Sequence, residues 1–130
     1  MLSCNYRYMN GDRMSDPALE QQIRDLYAAF NRRDSSFATD RMAADVQWPR
    51  AFKGGFVEGP EAVRAYWEEQ WTEIDPTVEP IGVEAMADGR FDVAVHQVVK
   101  DLAGAVIADD VVHHLYTFAG TTILRMELPA

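Results

Sequence analysis

The chain has 130 residues, of which 48% are hydrophobic and 25% are charged, so it is long enough for one globular domain with a buried core. Its formal net charge is −9, from 12 basic and 21 acidic residues. This acidic excess argues against binding to nucleic acid or to an anionic membrane surface, because both attract clustered lysine and arginine.

The sequence lacks the motifs that would indicate a membrane span, a signal peptide or a metal site. No apolar run approaches the roughly 20 residues that span a bilayer, and the first residues lack the apolar segment of a signal peptide, so we expect a cytoplasmic location. The one cysteine, Cys4, cannot form an internal disulfide. Metal-binding spacings such as Cys-x-x-Cys and His-Glu-x-x-His are absent, so we expect neither a metal nor another cofactor.

The first helix follows a loose start of the chain. Residues 1–14 show no periodicity and are expected to form a loosely ordered tail before a single domain over 15–130. We expect the helix to begin at Ser15 or Asp16, which can cap it, and to end near Arg33. Its apolar stripe at helical spacing consists of Leu19, Ile23, Leu26, Tyr27 and Phe30.

Two more helices are predicted before the main sheet. A short one begins at residue 34 or 35, and a longer one runs from Gly59-Pro60, where proline fits the first turn, to Asp75-Pro76. Between them, residues 46–48 predict a brief strand and residues 50–59 predict a loop. The inward side chains of the short helix are expected to be Phe37, Met42 and Ala43.

The second half of the chain predicts four strands with no helix between them. Their expected ranges are 78–86, 91–100, 106–118 and 123–128. Pro80 indicates that the first of these lies at a sheet edge or bulges, and Asp109-Asp110 marks a bend in the third. Helices followed by an antiparallel sheet indicate an α+β domain with separate layers.

Strand alternation predicts which side chains face the helices. On the third long strand, this face holds Val112, His114, Tyr116 and Phe118; on the last strand, it holds Leu124, Met126 and Leu128. On the second strand, hydrophobicity places Gln97 inward and His96 outward, unless a bulge reverses them. Polar groups on the inner face favour a cavity over a solid core. Apolar residues on the outer face favour a homodimer packed sheet to sheet.

Two segments support a family resemblance: EGPEAVRAYW (residues 58–67) and HLYTFAGTTI (residues 114–123). With the order of elements, they resemble the nuclear transport factor 2-like superfamily and, within it, the SnoaL-like branch. The resemblance implies a cone-shaped fold, a curved sheet wrapped around three helices, that encloses a pocket and usually dimerises. Members include ketosteroid isomerases, polyketide cyclases, limonene epoxide hydrolase, scytalone dehydratase and modules without catalytic activity, so the fold alone does not fix the function.

The resemblance also implies where catalytic groups would lie. Isomerase-like members place a carboxylate base just before a proline, where this chain has Trp48 before Pro49. Their acid on the third long strand corresponds to His114, and their tyrosine on the first helix corresponds to Tyr27 or a neighbouring position. Tryptophan cannot transfer a proton, so the resemblance does not extend to ketosteroid-type isomerisation. The arginine flanked by two aspartates that the epoxide hydrolases use is not evident.

The candidate catalytic residues are therefore His114 and Tyr27. An imidazole with a pKa near 6.5 can act as acid or base, although His114 could also be a core histidine bonded to a neighbour. Asp110 lies four residues earlier on the same face and could orient the ring only if the strand bends. The candidate ligand-binding residues are Trp48, Trp67, Gln97, Tyr116 and Met126.

The predicted ligand is a small hydrophobic or aromatic molecule. An enzyme of this kind would use cofactor-free acid–base chemistry for isomerisation, cyclisation, dehydration or hydrolysis. A module that binds a ligand or a protein without chemistry is the alternative, and the sequence leaves this choice open.

Overall fold

A computed structural model describes residues 17–50 and 53–129 of the chain. The expected tail over residues 1–14 lies outside these ranges. In chain order the elements are α1 (Pro17–Asn31), α2 (Ser35–Thr39), β1 (Met42–Pro49), β2 (Phe56–Glu58), α3 (Pro60–Trp71), β3 (Asp75–Ala85), β4 (Phe91–Lys100), β5 (Val106–Ala119) and β6 (Thr122–Glu127).

The six strands form one curved sheet in the order β2-β1-β6-β5-β4-β3. The predicted α+β class, with a curved sheet against three helices, is confirmed. The predicted strand count of four plus a short strand is too low, since the described residues form six. The sheet is also not antiparallel throughout, because β1 pairs in parallel with β6. These two strands lie far apart along the chain, so no local signal specifies their relative direction.

The core lies between α1, α3 and the inner face of the sheet. Most of the apolar stripe of α1 is buried, in line with its spacing, and Ile23 is 0% exposed. Val93 and Val95 on β4 are also 0% exposed. Full burial of a valine or isoleucine side chain contributes roughly 1.5–3 kcal/mol, so these contacts hold the helix against the sheet.

The carboxyl end of α1 is attached to the edge strand β3. Asn31 donates from Nδ2 to the carbonyl oxygen of Val78 at 2.8 Å and accepts at Oδ1 from the Val78 amide at 3.0 Å. Arg33, with a φ of 65°, donates to the carbonyl oxygen of Pro76 at 2.9 Å and pairs with Asp75. These contacts satisfy edge-strand groups and fix the height of α1 above the sheet.

The boundary between α3 and β3 differs from the prediction. The helix ends at Trp71, and Asp75-Pro76 opens β3 instead of ending the helix. The residue before a proline favours extended geometry, and an edge strand tolerates the missing amide, so the strand begins there. The predicted edge position of this strand is correct, and its register shifts between Pro80 and Gly82.

The region before α3 has more strand than predicted. β1 starts at Met42, so Met42 and Ala43 lie on a strand instead of on the second helix, although Met42 is buried. The predicted loop contains β2, which pairs with β1 after a turn at Gly54-Gly55. Three residues are too few for a periodic signal. The two glycines have φ values of 78° and 74°, which only glycine adopts without strain.

The facing of β6 is partly different from the prediction. A register shift inserts one extra residue opposite β5 between Thr117 and Phe118. As a result Ile123 is buried together with Met126, whereas Leu124 is exposed. The regular pairing of β5 with β4 continues through Asp109-Asp110, so the expected bend there is absent, and the register shift lies nearer the start of β5.

Candidate functional site

A cavity opens between the helices and the inner face of the sheet. Its cavity volume is about 80 Å³, which is below the range of roughly 300–1,000 Å³ typical of ligand sites. The predicted site residues that line it are His114, Tyr27, Trp48, Trp67, Gln97, Tyr116 and Met126. These are all seven of the predicted positions, but their catalytic and ligand-binding roles stay predictions.

Three of these side chains form a hydrogen-bonded chain. The Tyr27 hydroxyl lies 2.7 Å from Nδ1 of His114 and 2.8 Å from the hydroxyl of Tyr116. The Tyr27 and His114 rings are nearly parallel, with an interplanar angle of 13°. Alternation on β5 places His114 and Tyr116 side by side on the inner face, and the buried stripe of α1 brings Tyr27 between them.

Burial sets the protonation states of this chain of side chains. Burial, with a further contribution from the charge of His113, lowers the pKa of His114 to about 4. Burial also raises the pKa values of the Tyr27 and Tyr116 hydroxyls well above that of a free tyrosine. The imidazole is therefore neutral at neutral pH, and both phenols keep their protons.

The direction of the hydrogen bonds follows from the requirement that each buried hydroxyl hydrogen has an acceptor. If His114 donated from Nδ1, the hydroxyl hydrogen of Tyr116 would have no acceptor among the described residues, and Tyr116 is only 1% exposed. An unsatisfied buried donor costs about 1–3 kcal/mol. We therefore assign the order Tyr116 to Tyr27 to His114 Nδ1, which places the imidazole proton on Nε2.

The free end of this series of hydrogen-bonded side chains, Nε2 of His114, is thus a donor. Nε2 of His114 makes no hydrogen bond within residues 17–50 and 53–129, and the residue is partly exposed and lines the cavity. An N–H in this position can donate to an oxygen atom of a molecule inside the cavity. Asp110, the orienting partner considered from the sequence, makes no contact with the ring within the same part of the chain, because the strand stays regular.

Tryptophan and tyrosine rings form one wall of the cavity. Trp48 packs edge-on against Trp67 at 5.3 Å between ring centroids and against Tyr116 at 6.0 Å. Trp48 is 8% exposed, so it belongs to the core and to the cavity wall together. Trp71 is not among the lining residues and packs against Phe30 instead, at 5.3 Å.

Several lining residues were not predicted as site residues. They are Leu26, Phe30, Ala38, Pro49, Tyr66, Gln70, Pro76, Val78 and Leu128. The signal for Tyr66 and Gln70 was present in the sequence, because both share the inward face of α3 with Trp67. Leu128, which lies just beyond the end of β6, was expected on the inner face with Met126 but was not named as a site residue.

The lining is almost free of charge. Its ionisable members within the described ranges are His114 and three tyrosines, and no carboxylate is among them. No group of three or more histidine, cysteine, aspartate or glutamate side chains in this part of the chain could hold a metal ion. None of the described helices is both long enough and apolar enough to cross a membrane.

Fold and cavity together define a class of small α+β cone proteins, and comparison with known proteins assigns the family. Residues 23–126 match the model of the SnoaL-like domain, so the chain belongs to this family, as the sequence resemblance predicted. A search of curated proteins gave no significant match.

Solved structures support the same fold. An NTF2-like protein of unknown function from Burkholderia pseudomallei is 23% identical, with a TM-score of 0.73 over 85% of this chain and 88% of the other. TerC, co-crystallised with polyporic acid, is 23% identical, with a TM-score of 0.71 over 83% and 87%. Rv0760c from Mycobacterium tuberculosis, solved with estradiol-17β-hemisuccinate, is 15% identical, with a TM-score of 0.69 over 83% and 89%. At these identities, the likeness shows the fold alone.

Proposed function

We propose that this protein binds a small hydrophobic or aromatic molecule in the cavity and positions an oxygen atom of that molecule at Nε2 of His114. The observation that supports this best is the hydrogen-bonded chain from Tyr116 through Tyr27 to His114, which ends in a donor on an apolar surface. A donor that has no partner among the described residues is satisfied when a ligand supplies an acceptor.

The same geometry supports cofactor-free chemistry at a carbonyl or a similar oxygen. As negative charge develops on this oxygen, donation from Nε2 stabilises it, and the two tyrosine hydroxyls behind the ring polarise in the same direction. Gln97, on the cavity floor, offers a second polar contact that can fix the orientation of the ligand. Tyr27 in this scheme acts on the ligand through His114.

Binding without chemistry is the second candidate, and one observation favours it. No carboxylate is among the described cavity-lining residues, and Trp48 occupies the place where the resemblance implies a base. In the assigned tautomer His114 has no free lone pair on its nitrogens, because Nδ1 accepts from Tyr27 and Nε2 holds the proton. A strong base for proton abstraction from carbon is therefore missing from the described lining.

Binding can be tested with the two ligands named for the similar structures, polyporic acid and estradiol-17β-hemisuccinate. Quenching of tryptophan fluorescence measures their affinities, since Trp48 and Trp67 line the cavity. We expect His114→Phe, which keeps a flat ring without the donor, to weaken binding about tenfold. His113→Phe, one residue away on the outer face, is the matched control and should bind like the native protein. Equal binding by both variants would contradict the proposed role of His114.

Proton transfer can be tested separately with 2-tetralone, an aromatic ketone with exchangeable hydrogens beside its carbonyl. In D₂O, exchange at this carbon breaks a C–H bond, passes the proton to a base and returns a deuteron. Proton NMR then reports the rate. Acceleration that disappears in His114→Phe supports acid–base chemistry at His114. No acceleration by a protein that binds the ketone supports binding alone.

We further propose that the protein is a cytoplasmic homodimer that pairs through the outer face of the sheet. On this face Val111 is 56% exposed between two hydrogen-bonded histidine–aspartate pairs, His96 with Asp109 at 2.7 Å and His113 with Asp92 at 2.8 Å. Burial of such apolar groups against a second copy is favourable. Analytical ultracentrifugation should give twice the chain mass for the native protein and a monomer for Val111→Lys.

A further inference from the structure

A second cavity adjoins the first at the carboxyl end of α3. Its cavity volume is about 250 Å³. Tyr66 and Gln70, one helical turn apart on α3, line both cavities. Gln70 Nε2 donates to the Tyr66 hydroxyl at 3.3 Å, which is long for a hydrogen bond and therefore weak. The two cavities thus share a wall in which Gln70 is the side chain that a ligand can displace.

Both cavities also share one floor, the inner face of β4 and β5. Gln97 lines the first cavity, and the next inward residue on β4, Val99, lines the second together with its cross-strand partner Ala108. Six residue steps separate His114 from Ala108 on β5, which corresponds to about 20 Å at about 3.4 Å per residue. The cavities therefore follow one another in a line that begins at His114.

The far end of this line is acidic. Glu69 and Glu73 line the second cavity. Lys53, the basic residue among the described lining, is paired with Glu69 at 3.5 Å. The excess of negative charge disfavours a carboxylate or phosphate group at this end and permits a neutral or cationic one.

We propose that the two cavities together bind one elongated ligand and that Gln70 determines how far along the line a ligand can extend. This inference rests on the proposed function, because the ligand's acceptor oxygen lies at His114. The remainder of the ligand is an apolar chain or ring system about 14–20 Å long, from the spacing of residues along β5. Its far end is neutral or cationic.

Alkyl 4-hydroxybenzoates, from the ethyl to the octyl ester, test this inference by their affinities in tryptophan fluorescence titrations. We expect each added methylene to tighten binding by the native protein about two- to fourfold throughout the series. Relative to its own affinity for the ethyl ester, Gln70→Trp should gain nothing beyond the shorter chains. Glu68→Trp, at an exposed position of the same helix, is the control and should follow the native series.

Charge at the far end gives an independent readout. The 8-aminooctyl ester should bind at least about tenfold more tightly than the ester with a terminal carboxylate of equal length. The inference is wrong if the affinity of the native protein stops rising at the shorter esters and Gln70→Trp does not change this series. That result would leave the proposed function intact. Failure of the ethyl ester to bind, or binding unaffected by His114→Phe, would instead overturn the proposed function and this inference with it.

Discussion

The buried, neutral state of His114 predicts a loss of stability in mild acid. The folded-state pKa is about 4, whereas the unfolded chain titrates near 6.5. Because the folded value is the lower one, the unfolded chain binds more protons between these values, so acid favours unfolding. The effect is absent above about pH 7.5, grows as the pH falls through 6.5 and levels off below about pH 4.

The size of the effect follows from the two pKa values of this one group. Integration of the linkage relation gives a loss of about 1.4 kcal/mol at pH 5.5 and about 2.5 kcal/mol at pH 4.5, relative to pH 7.5. Other groups in the protein also contribute to the dependence of stability on pH. Their contributions cancel when the native protein is compared with a variant that lacks only the imidazole.

His114→Asn is the appropriate variant. Its side-chain oxygen lies near the position of Nδ1 and can accept the hydrogen bond from Tyr27, so the rest of the chain of hydroxyls is preserved. Urea unfolding of both proteins at several pH values, followed by tryptophan fluorescence, gives the difference in free energy of unfolding. Between pH 7.5 and pH 4.5, the native protein should lose about 2.5 kcal/mol of stability relative to His114→Asn. A change below about 0.5 kcal/mol would refute a buried, neutral imidazole.

Three further substitutions test the site and its support by urea unfolding at neutral pH. Tyr27→Phe leaves the Tyr116 hydroxyl without its acceptor and should cost about 1–3 kcal/mol; no loss would contradict the assigned bond direction. Ile23→Ala removes a fully buried side chain from the face of α1 and should cost about 2–5 kcal/mol, whereas a cost near zero would mean that the helix is loosely packed. Asn31→Ala removes two hydrogen bonds to the Val78 backbone and should cost about 1–2 kcal/mol of stability. Asn31→Asp keeps only the acceptor, so its stability should lie between those of the native protein and Asn31→Ala.

Local periodicity was sufficient to predict the face on which most candidate site residues lie. The two-residue period of β5 placed His114 and Tyr116 inward, and the helical stripe placed Tyr27 on the buried face of α1. Their hydrogen bonds join residues 87 and 89 positions apart, and no local pattern specifies how α1 lies across the sheet. The direct partner of the imidazole was therefore missed in favour of an aspartate on the same strand.

Periodicity gave a wrong prediction where the hydrogen-bond register, and not hydrophobicity, determines the face of the sheet on which a side chain lies. On β6, alternation groups Leu124 with Met126 and Ile123 with two charged residues, so the pattern predicts Leu124 inward and Ile123 outward. The register shift opposite Thr117 and Phe118 turns Ile123 inward and leaves Leu124 exposed. Such a shift depends on pairing with β5, and a single inserted residue reverses the facing of every later residue on the strand.

The electrostatics of the cavity narrow the chemistry that is consistent with it. Removal of a proton from carbon needs a base with a free lone pair, and the assigned tautomer of His114 offers none, while Trp48 occupies the place that the resemblance gives to the base. Polarisation of an oxygen needs only a donor in a dry setting, and Nε2 with two hydroxyls behind it meets this need. Reactions in which the substrate supplies its own nucleophile, such as ring closure onto a carbonyl, therefore fit this cavity better than isomerisation through an enolate. A binder of oxygen-bearing apolar ligands needs the same donor and no more, so an affinity alone does not distinguish such catalysis from binding.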